Sequence, residues 1–456
     1  MAWTRQGFRV DRRDRAFGVH FLLGGLLIQE EAAMMAVKAL GPRPGELVLD
    51  LCAAPGNKTV QLAKAVGPSG WVVANDVSAA RLQILRGMAD RFHLPNLSLV
   101  VHDGTSFPLR NDECTGAPFL FDAVLADVPC SCEGTCRKNM SVFDRMNDQR
   151  TASLPELQES LLRRAIQLTK PGGRILYATC TFAPEENELV LQRVLDAPDA
   201  GNEVALEPVQ IPGALLDTGL TSWNGTTLSS EMQHAVRIWP HRNDTGGFFF
   251  ALLRKETSGD LLHSGAESHA EQRAEPRAAS HAASRADSVS RSVSDSSIAA
   301  QRGLDGSQMP WCAYDLPTQF LSMHSSEASG RKHERIVASH RPSAFFNEQS
   351  VGFSGVNIKS REPRPSSALA CYMAPHARAG VADIGTADLA RFLSRETVEP
   401  VCLVPPADRT RYVLVRSGGV AVGLGHINSS GHLESLFPRN FAGLPVTEWL
   451  NRLSGE

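Results

Sequence analysis

Over the first 255 residues, short apolar runs alternate with segments of helical spacing, and that alternation leaves few architectures open. "ELVLDL" (46–51) reads as a buried strand and "NKTVQLAKAV" (57–66) as the helix behind it. "WVVANDV" (71–77) is a second strand, followed by the helical "SAARLQILRGMADRF". "LSLVVHD" (97–103) and "FDAVLADV" (121–128) read as strands three and four. "LPELQESLLRRAIQLTK" (154–170) is an amphipathic helix closed by "PGG", and "RILYATC" (174–180) is strand five. "AVRIWPH" and "GGFFFALLRK" read as an antiparallel closing hairpin. Strands joined through helices run parallel and carry those helices on both faces, so the expected fold is α/β, a Rossmann-like doubly wound sheet.

The composition shifts after this region. From Glu256 to Gln308, Ser, Ala, His, Arg and Glu dominate and no periodicity survives, so 256–308 is expected to be a disordered linker. Residues 309–456 read as a small β-rich domain, with "RYVLVRSGGVAVGLGHINSSGHLESLFPRNF" (411–441) giving two strands across a glycine turn. Residues 1–28 are an N-terminal extension ahead of the 29–255 domain. Arg5, Arg9, Arg12, Arg13 and Arg15 there interleave with Asp11 and Asp14, which suits a solvated basic face better than a signal peptide or mitochondrial presequence. Nine cysteines in 456 residues are too sparse for a disulfide framework. No apolar run reaches the roughly 18 residues of a membrane span. The reading is an intracellular protein of the nucleus or cytoplasm rather than the mitochondrion, with no membrane partner. A net charge of −3 excludes no class, because a basic surface can be local.

"DLCAAPGNKT" (50–59) lies between the first strand and its helix, where open α/β sheets bind ligands. It matches neither the glycine fingerprint of dinucleotide sites nor a phosphate-cradling P-loop. Ala53, Ala54 and Gly56 are small enough for a ligand to approach the backbone, and N–H groups at a helix start suit a carboxylate. Asp50, Asp76, Asp103 and Asp127 end four successive strands. Asp76 is positioned for two ribose hydroxyls and Asp103 for an adenine amino group. Four acids would repel a pyrophosphate but suit a nucleoside carrying a cationic sulfur, which points to S-adenosylmethionine.

"DVPCSCEGTCRKN" (127–139) holds Cys130, Cys132 and Cys136. Their spacing lacks the second pair a structural zinc site needs and fails C-x-x-C redox chemistry, so no metal is expected. Cys130, two residues after a proline-flanked strand end, and Cys180, in "YATCT" (177–181), end neighbouring strands and could face one pocket. Two thiols beside a methyl donor suggest covalent activation of a pyrimidine. A thiolate adding to C6 of cytosine makes C5 nucleophilic, and Asp127 is the candidate acid at N3. Cys132 and Cys136 read as small buried apolar residues.

Together, "DLCAAPGNKT", "NDVS…R", "DVPCSCEGTCRKN", "ATCTFAPEENELVL" and "RIWPH…TGGFFFALL" resemble the Nop/Sun RNA cytosine-5 methyltransferases, over roughly residues 18–255. The resemblance implies a class I methyltransferase sheet in which Cys52, Ala53, Ala54, Pro55, Gly56, Asn57, Lys58, Asp76, Asp103 and Asp127 bind S-adenosylmethionine. It implies Cys180 as the nucleophile on C6, Cys130 as the thiol that helps release product, and Arg137 and Lys138 as phosphate contacts to RNA. It implies tRNA as the first substrate, with rRNA second. Cys132 stands where the family usually has glycine. The 411–441 segment loosely resembles a PUA-like barrel. Arg331, Lys332, Arg335, Arg341, Lys359, Arg361, Arg364 and Arg378, in or ahead of it, would add electrostatic grip on RNA. Two other readings are a non-catalytic RNA-binding or assembly factor, which would tolerate loss of either cysteine motif, and a methyltransferase for small molecules or protein, which would leave both thiols idle.

Overall fold

The structure is a computed structural model that describes residues 1, 3–4, 6–9, 23–111, 117–145, 153–197, 203–257, 321–328, 331–338, 350–351, 353–357, 364–373, 377, 379–405 and 411–438. Nearly all of the 256–308 linker, much of the 1–28 extension and the C-terminal residues from 439 lie outside them.

In chain order the first region contains α1 (Glu31–Leu40), β1 (Leu47–Asp50), α2 (Asn57–Val66), β2 (Trp71–Asn75), α3 (Ala79–Phe92), β3 (Leu97–Val100) and β4 (Phe121–Asp127). It continues with α4 (Leu154–Leu168), β5 (Thr169–Thr179), α5 (Glu188–Leu195), β6 (Val204–Glu207), β7 (Asp217–Thr218), β8 (Ser222–Trp223), β9 (Thr226–Thr227), β10 (Val236–Ile238) and β11 (Phe248–Lys255). The main sheet runs β3-β2-β1-β4-β5-β11-β10-β7, with β6 also on β11, while β8 and β9 pair with each other in a separate two-stranded sheet. Strands β3 to β5 are parallel, and β11 enters antiparallel, Phe249 opposite Thr179. The expected closing hairpin is β10–β11, Val236 opposite Phe250.

Alternation along each strand makes the two faces. Val48, Val72, Leu99 and Leu125 pack with Met35, Leu62 and Leu85 of α1 to α3. Leu49, Val73, Val124 and Tyr177 face the other way, against Leu162 and Ile166 of α4 and Val190 of α5. Burial on both faces explains why these strands read as continuous apolar runs.

One boundary differs from expectation. Helix α4 stops at Thr169, whose backbone is already extended, and "PGG" lies inside β5 instead of closing the helix. Thr169 pairs with Phe121 and Arg174 with Ala123, so Lys170–Gly173 form a bulge that absorbs the register shift.

The C-terminal region is β-rich, as expected, but not only β. A sheet of Leu321–Ala328, Arg331–Ala338, Phe353–Asn357 and Arg364–Pro365 precedes a β half-barrel. The half-barrel contains Tyr412–Ser417 and Val420–Ile427, joined across Gly418 and Gly419, around a core that includes Ile384, Phe392, Val413, Val415 and Leu433. Short helices at Ser367–Met373 and Thr386–Leu393 were not anticipated. Ser350–Val351 pairs antiparallel with β3, continuing the main sheet.

Candidate active site

The turn after β1 forms one wall of a cleft of about 310 Å³ at the carboxyl ends of the parallel strands. Ala53, Ala54, Pro55, Gly56, Asn57, Lys58, Asp50 and Asp127 line it. Cys52 and Asp76 are not in that lining but support it from behind. The Asp76 carboxylate accepts hydrogen bonds from the N–H of Ala54 at 3.2 Å and of Ser78 at 2.9 Å, and pairs with Arg81 at 3.2 Å. Arg81 also donates to the Ala54 carbonyl. Gly56 takes φ 116°, and a Cβ there would stand 2.3 Å from Leu85 Cδ1, so the turn owes its glycine to the packing of α3 against it. Asp103 stands apart: it is exposed, and its Oδ1 caps the short helix Gly104–Ser106 by accepting from Thr105 N–H and Oγ1.

Three of the four strand-end acids act on one another. Burial pushes the Asp50 carboxyl up to about 7; the hydrogen bond from Thr59 and the Lys58 charge oppose that, while Asp127 and Asp76 reinforce it. Asp50 Oδ2 accepts from Thr59 Oγ1 at 2.7 Å, whereas its buried Oδ1 has no partner among the described residues. Lys58 Nζ lies 2.7 Å from Asp127 Oδ2 and over the Phe248 ring. Burial works to lower the Lys58 ammonium, but the charge and hydrogen bond of Asp127 hold it above its ordinary value. The Cys52 thiol is pushed up, by burial first and then by the Asp50 and Asp127 charges.

Cys130 and Cys180 meet. Their Sγ atoms are 3.4 Å apart, and Cys180 N–H donates to Cys130 Sγ at 3.3 Å. Cys132 joins them, its Sγ 4.0 Å from that of Cys130 and 3.2 Å from the Cys130 carbonyl. The hydrogen bond with Cys130 pulls the Cys180 thiol down, but contact with Cys132, burial and the Asp127 charge outweigh it, so the net shift is upward. Cys130 is raised by its contacts with Cys132 and Cys180, then by burial. Cys132 has φ 64°, the left-handed region that costs a residue with a Cβ and suits glycine.

The loops carrying these thiols are held by groups that sequence reasoning did not single out. Gly134 N–H donates to the Cys180 carbonyl and Gly247 N–H to the Gly134 carbonyl, each at 2.8 Å. A Cβ on Gly134 would fall 2.2 Å from Gly247 O, so this close approach excludes a side chain. Glu133 accepts from Phe182 N–H, and Glu186 accepts from Ser131 N–H and Gln158. Asn187 bridges Thr179 and the Thr181 carbonyl. Buried Arg237 forks onto Glu188, Nε at 2.7 Å and Nη2 at 2.5 Å, and gives Nη1 to the Phe182 carbonyl at 2.9 Å. The signal was in "APEENELVL", but acids before an apolar helix read equally well as first-turn charges.

Arg137 and Lys138 lie beyond these loops, half-exposed and already paired. Arg137 meets Asp244 at 2.7 Å and the Thr245 carbonyl, and Lys138 meets Glu30. Burial would raise the Glu30 carboxyl, yet hydrogen bonds from Lys138, Thr245 and Gly246 hold it down at about 2. Both basic residues line a groove of about 1570 Å³ that shares Ile28, Gln29, Glu30 and Lys138 with the cofactor-sized cleft. Cys136 is half-buried outside the thiol group. Of the C-terminal basic residues, Arg331, Lys332 and Arg335 fall on the strand Arg331–Ala338 and Arg364 on Arg364–Pro365; the other four lie outside the described residues. No helix among the described residues is long and apolar enough to cross a membrane.

A parallel sheet whose strand ends bring a small-residue turn, clustered carboxylates and two touching thiols together defines a cofactor-dependent α/β enzyme class. The family described as "16S rRNA methyltransferase RsmB/F" matches residues 37–254. At 34% identity over 256 residues, the chain is similar to a tRNA (cytosine(49)-C(5))-methyltransferase of Pyrococcus abyssi, covering 56% of this chain and 78% of that one. It is 33% identical to a tRNA (cytosine(34)-C(5))-methyltransferase of Drosophila melanogaster, over 51% of this chain and 37% of that one. It is also 33% identical to ribosomal RNA small subunit methyltransferase F of Erwinia tasmaniensis, over 56% and 51%. The chain thus spans well under two thirds of the insect and bacterial relatives. It belongs to the RsmB/F (NOL1/NOP2/Sun) family of S-adenosylmethionine-dependent RNA cytosine-C5 methyltransferases.

Proposed function

We propose that this chain transfers a methyl group from S-adenosylmethionine to C5 of cytosine in RNA, through a covalent bond between Cys180 and C6. The observation that carries the reading is the 3.4 Å contact between Cys130 and Cys180 at the ends of adjacent parallel strands. Residues 29–255 form the catalytic domain, and 309–456, joined through 256–308, a PUA-like RNA-binding domain.

The cleft suits the cofactor: Asp50 Oδ1 is buried without a partner among the described residues, and a cationic ligand would answer it. Ala53–Lys58 and Asp127 would hold it, with Cys52 and Asp76 shaping the turn; Asp103 reaches it only by leaving its capping role. When bound, S-adenosylmethionine supplies an electrophilic methyl group on a positively charged sulfur. Because Asp50 is charged only above about 7, cofactor affinity should rise from about pH 6 to about pH 8, with proton release at the lower end. Calorimetry in buffers of different ionisation enthalpy measures this, and Asp50→Asn should flatten the dependence.

The Cys180 thiol gives its proton to solvent and its sulfur adds to C6. The S–C6 bond forms as the C5=C6 electron pair shifts toward N3, which takes a proton passed from the Lys58 ammonium through the Asp127 carboxylate. C5 is then nucleophilic. Once methylated, C5 loses its proton to water as the S–C6 bond breaks, N3 returns its proton through Asp127 to Lys58, and Cys130 gives its own proton to the departing Cys180 sulfur. Cys130, once reprotonated from solvent, restores the site. Arg137 and Lys138 line the groove that would take the RNA strand. The Arg137–Asp244 pair is exposed, and such pairs contribute only about 0–1 kcal/mol, so exchanging Asp244 for a phosphate costs little.

tRNA is the first substrate proposed, supported by the names of the archaeal and insect relatives; rRNA is the second, supported by the family description and the bacterial relative. Incubating the chain with fractionated tRNA and rRNA and an isotopically labelled methyl donor tests both. Labelled 5-methylcytidine in digested tRNA is the expected result; its absence from both fractions contradicts the reading.

A further inference from the structure

Cys130, Cys132 and Cys180 bring three sulfurs within 4.8 Å of one another, although they come from two different loops. The sequence spacing of 130, 132 and 136 gave no metal pattern because the third thiol arrives from the end of β5, 48 residues after Cys132. Separations of 3.4 Å (Cys130–Cys180) and 4.0 Å (Cys130–Cys132) bracket the roughly 3.8 Å between sulfurs bound to one tetrahedral ion at about 2.3 Å. The loops are already fixed at this spacing by Gly134 N–H on the Cys180 carbonyl and Cys180 N–H on Cys130 Sγ. All three cysteines are partly buried. Asp127 adds negative charge beside Cys180, partly offset by Lys58. Cys132 also holds a backbone conformation that a glycine would adopt at no cost, and strain of this kind clusters at sites with a job.

We propose that Cys130, Cys132 and Cys180 form a three-thiolate site for a soft d¹⁰ cation of the zinc class, which reversibly caps the nucleophile. The step is one of ligand exchange: three S–H bonds break, three S–metal bonds form, three protons go to solvent, and nothing is oxidised or reduced. The fourth coordination position is left to water. While the ion is bound, the charge of the Cys180 thiolate is drawn into the S–metal bond and the ion stands between the sulfur and C6, so methyl transfer stops. The metal site stands on geometry alone; the block on catalysis rests on the proposed role of Cys180.

Cadmium is the probe, read by its ultraviolet thiolate charge-transfer band on titration of the full chain. One ion per chain with three thiolates' intensity is expected. Cys132→Gly, which suits the left-handed backbone, should weaken binding by at least the roughly ten- to hundredfold that losing an outer partner of a metal costs, whereas Cys136→Ser should not. Methylation by the native chain should stop with cadmium and return with a chelator, and Cys132→Gly should resist. An unchanged band in Cys132→Gly overturns the site. A band that depends on Cys132 while the loaded chain still methylates RNA upholds the site and counts instead against Cys180 as nucleophile.

Discussion

Replacing Cys130 with alanine is expected to turn the enzyme into a trap: incubated with cofactor and RNA, Cys130→Ala accumulates a covalent protein–RNA adduct that persists on a denaturing gel. Cys180→Ala should give neither adduct nor 5-methylcytidine. The reason is the contact between the two thiols. Cys130 lowers the Cys180 thiol by hydrogen bonding while Cys132 and burial raise it, so removing Cys130 slows attack as well as release. The adduct should therefore form more slowly than in the native chain yet fail to turn over. A thiol raised above its ordinary value is mostly protonated at neutral pH, so adduct formation should accelerate as pH rises, up to tenfold per unit while the thiolate is the minor form.

The second large effect is on stability. Glu188→Ala leaves the Arg237 guanidinium buried without its fork partner, since the two side chains are 0% and 3% exposed. Breaking a buried pair by removing one partner costs about 3–5 kcal/mol, a large share of the roughly 5–15 kcal/mol that holds a domain folded. Equilibrium urea unfolding should show the loss as a lower midpoint. The double variant Glu188→Leu/Arg237→Met should lose less than Glu188→Ala, because no charge is then left unpaired. Activity should fall in both, because Arg237 Nη1 also holds the Phe182 carbonyl, two residues from Cys180. A Glu188→Ala chain as stable as the native one would mean that Arg237 finds another partner.

The doubly wound sheet was legible because burial on both faces writes each parallel strand as an unbroken apolar run, and the helices between keep their own period. What misled was local. "PGG" is a helix stop in most contexts, but here Arg174 must pair with Ala123, and the bulge that achieves this keeps Lys170–Gly173 within β5. The helix Thr386–Leu393 spans only 8 residues, too few for its period to stand out. In the site, the turn and the two thiol motifs were readable because their residue types are unusual at strand ends. The supports were not: Glu186, Asn187 and Glu188 act through burial, which depends on Gln158 and Arg237, distant in sequence. Cys132 was noticed only as standing in place of glycine; its φ of 64° gives that observation a physical basis.

Cys180 attacking and Cys130 releasing is the central claim, and mapping the trapped bond tests it most directly. Nuclease and protease digestion of the Cys130→Ala adduct, followed by fragmentation mass spectrometry, should find the cytidine remnant on the peptide that contains Cys180. A remnant on any other residue, or an adduct through Cys130 in the Cys180→Ala chain, would contradict it.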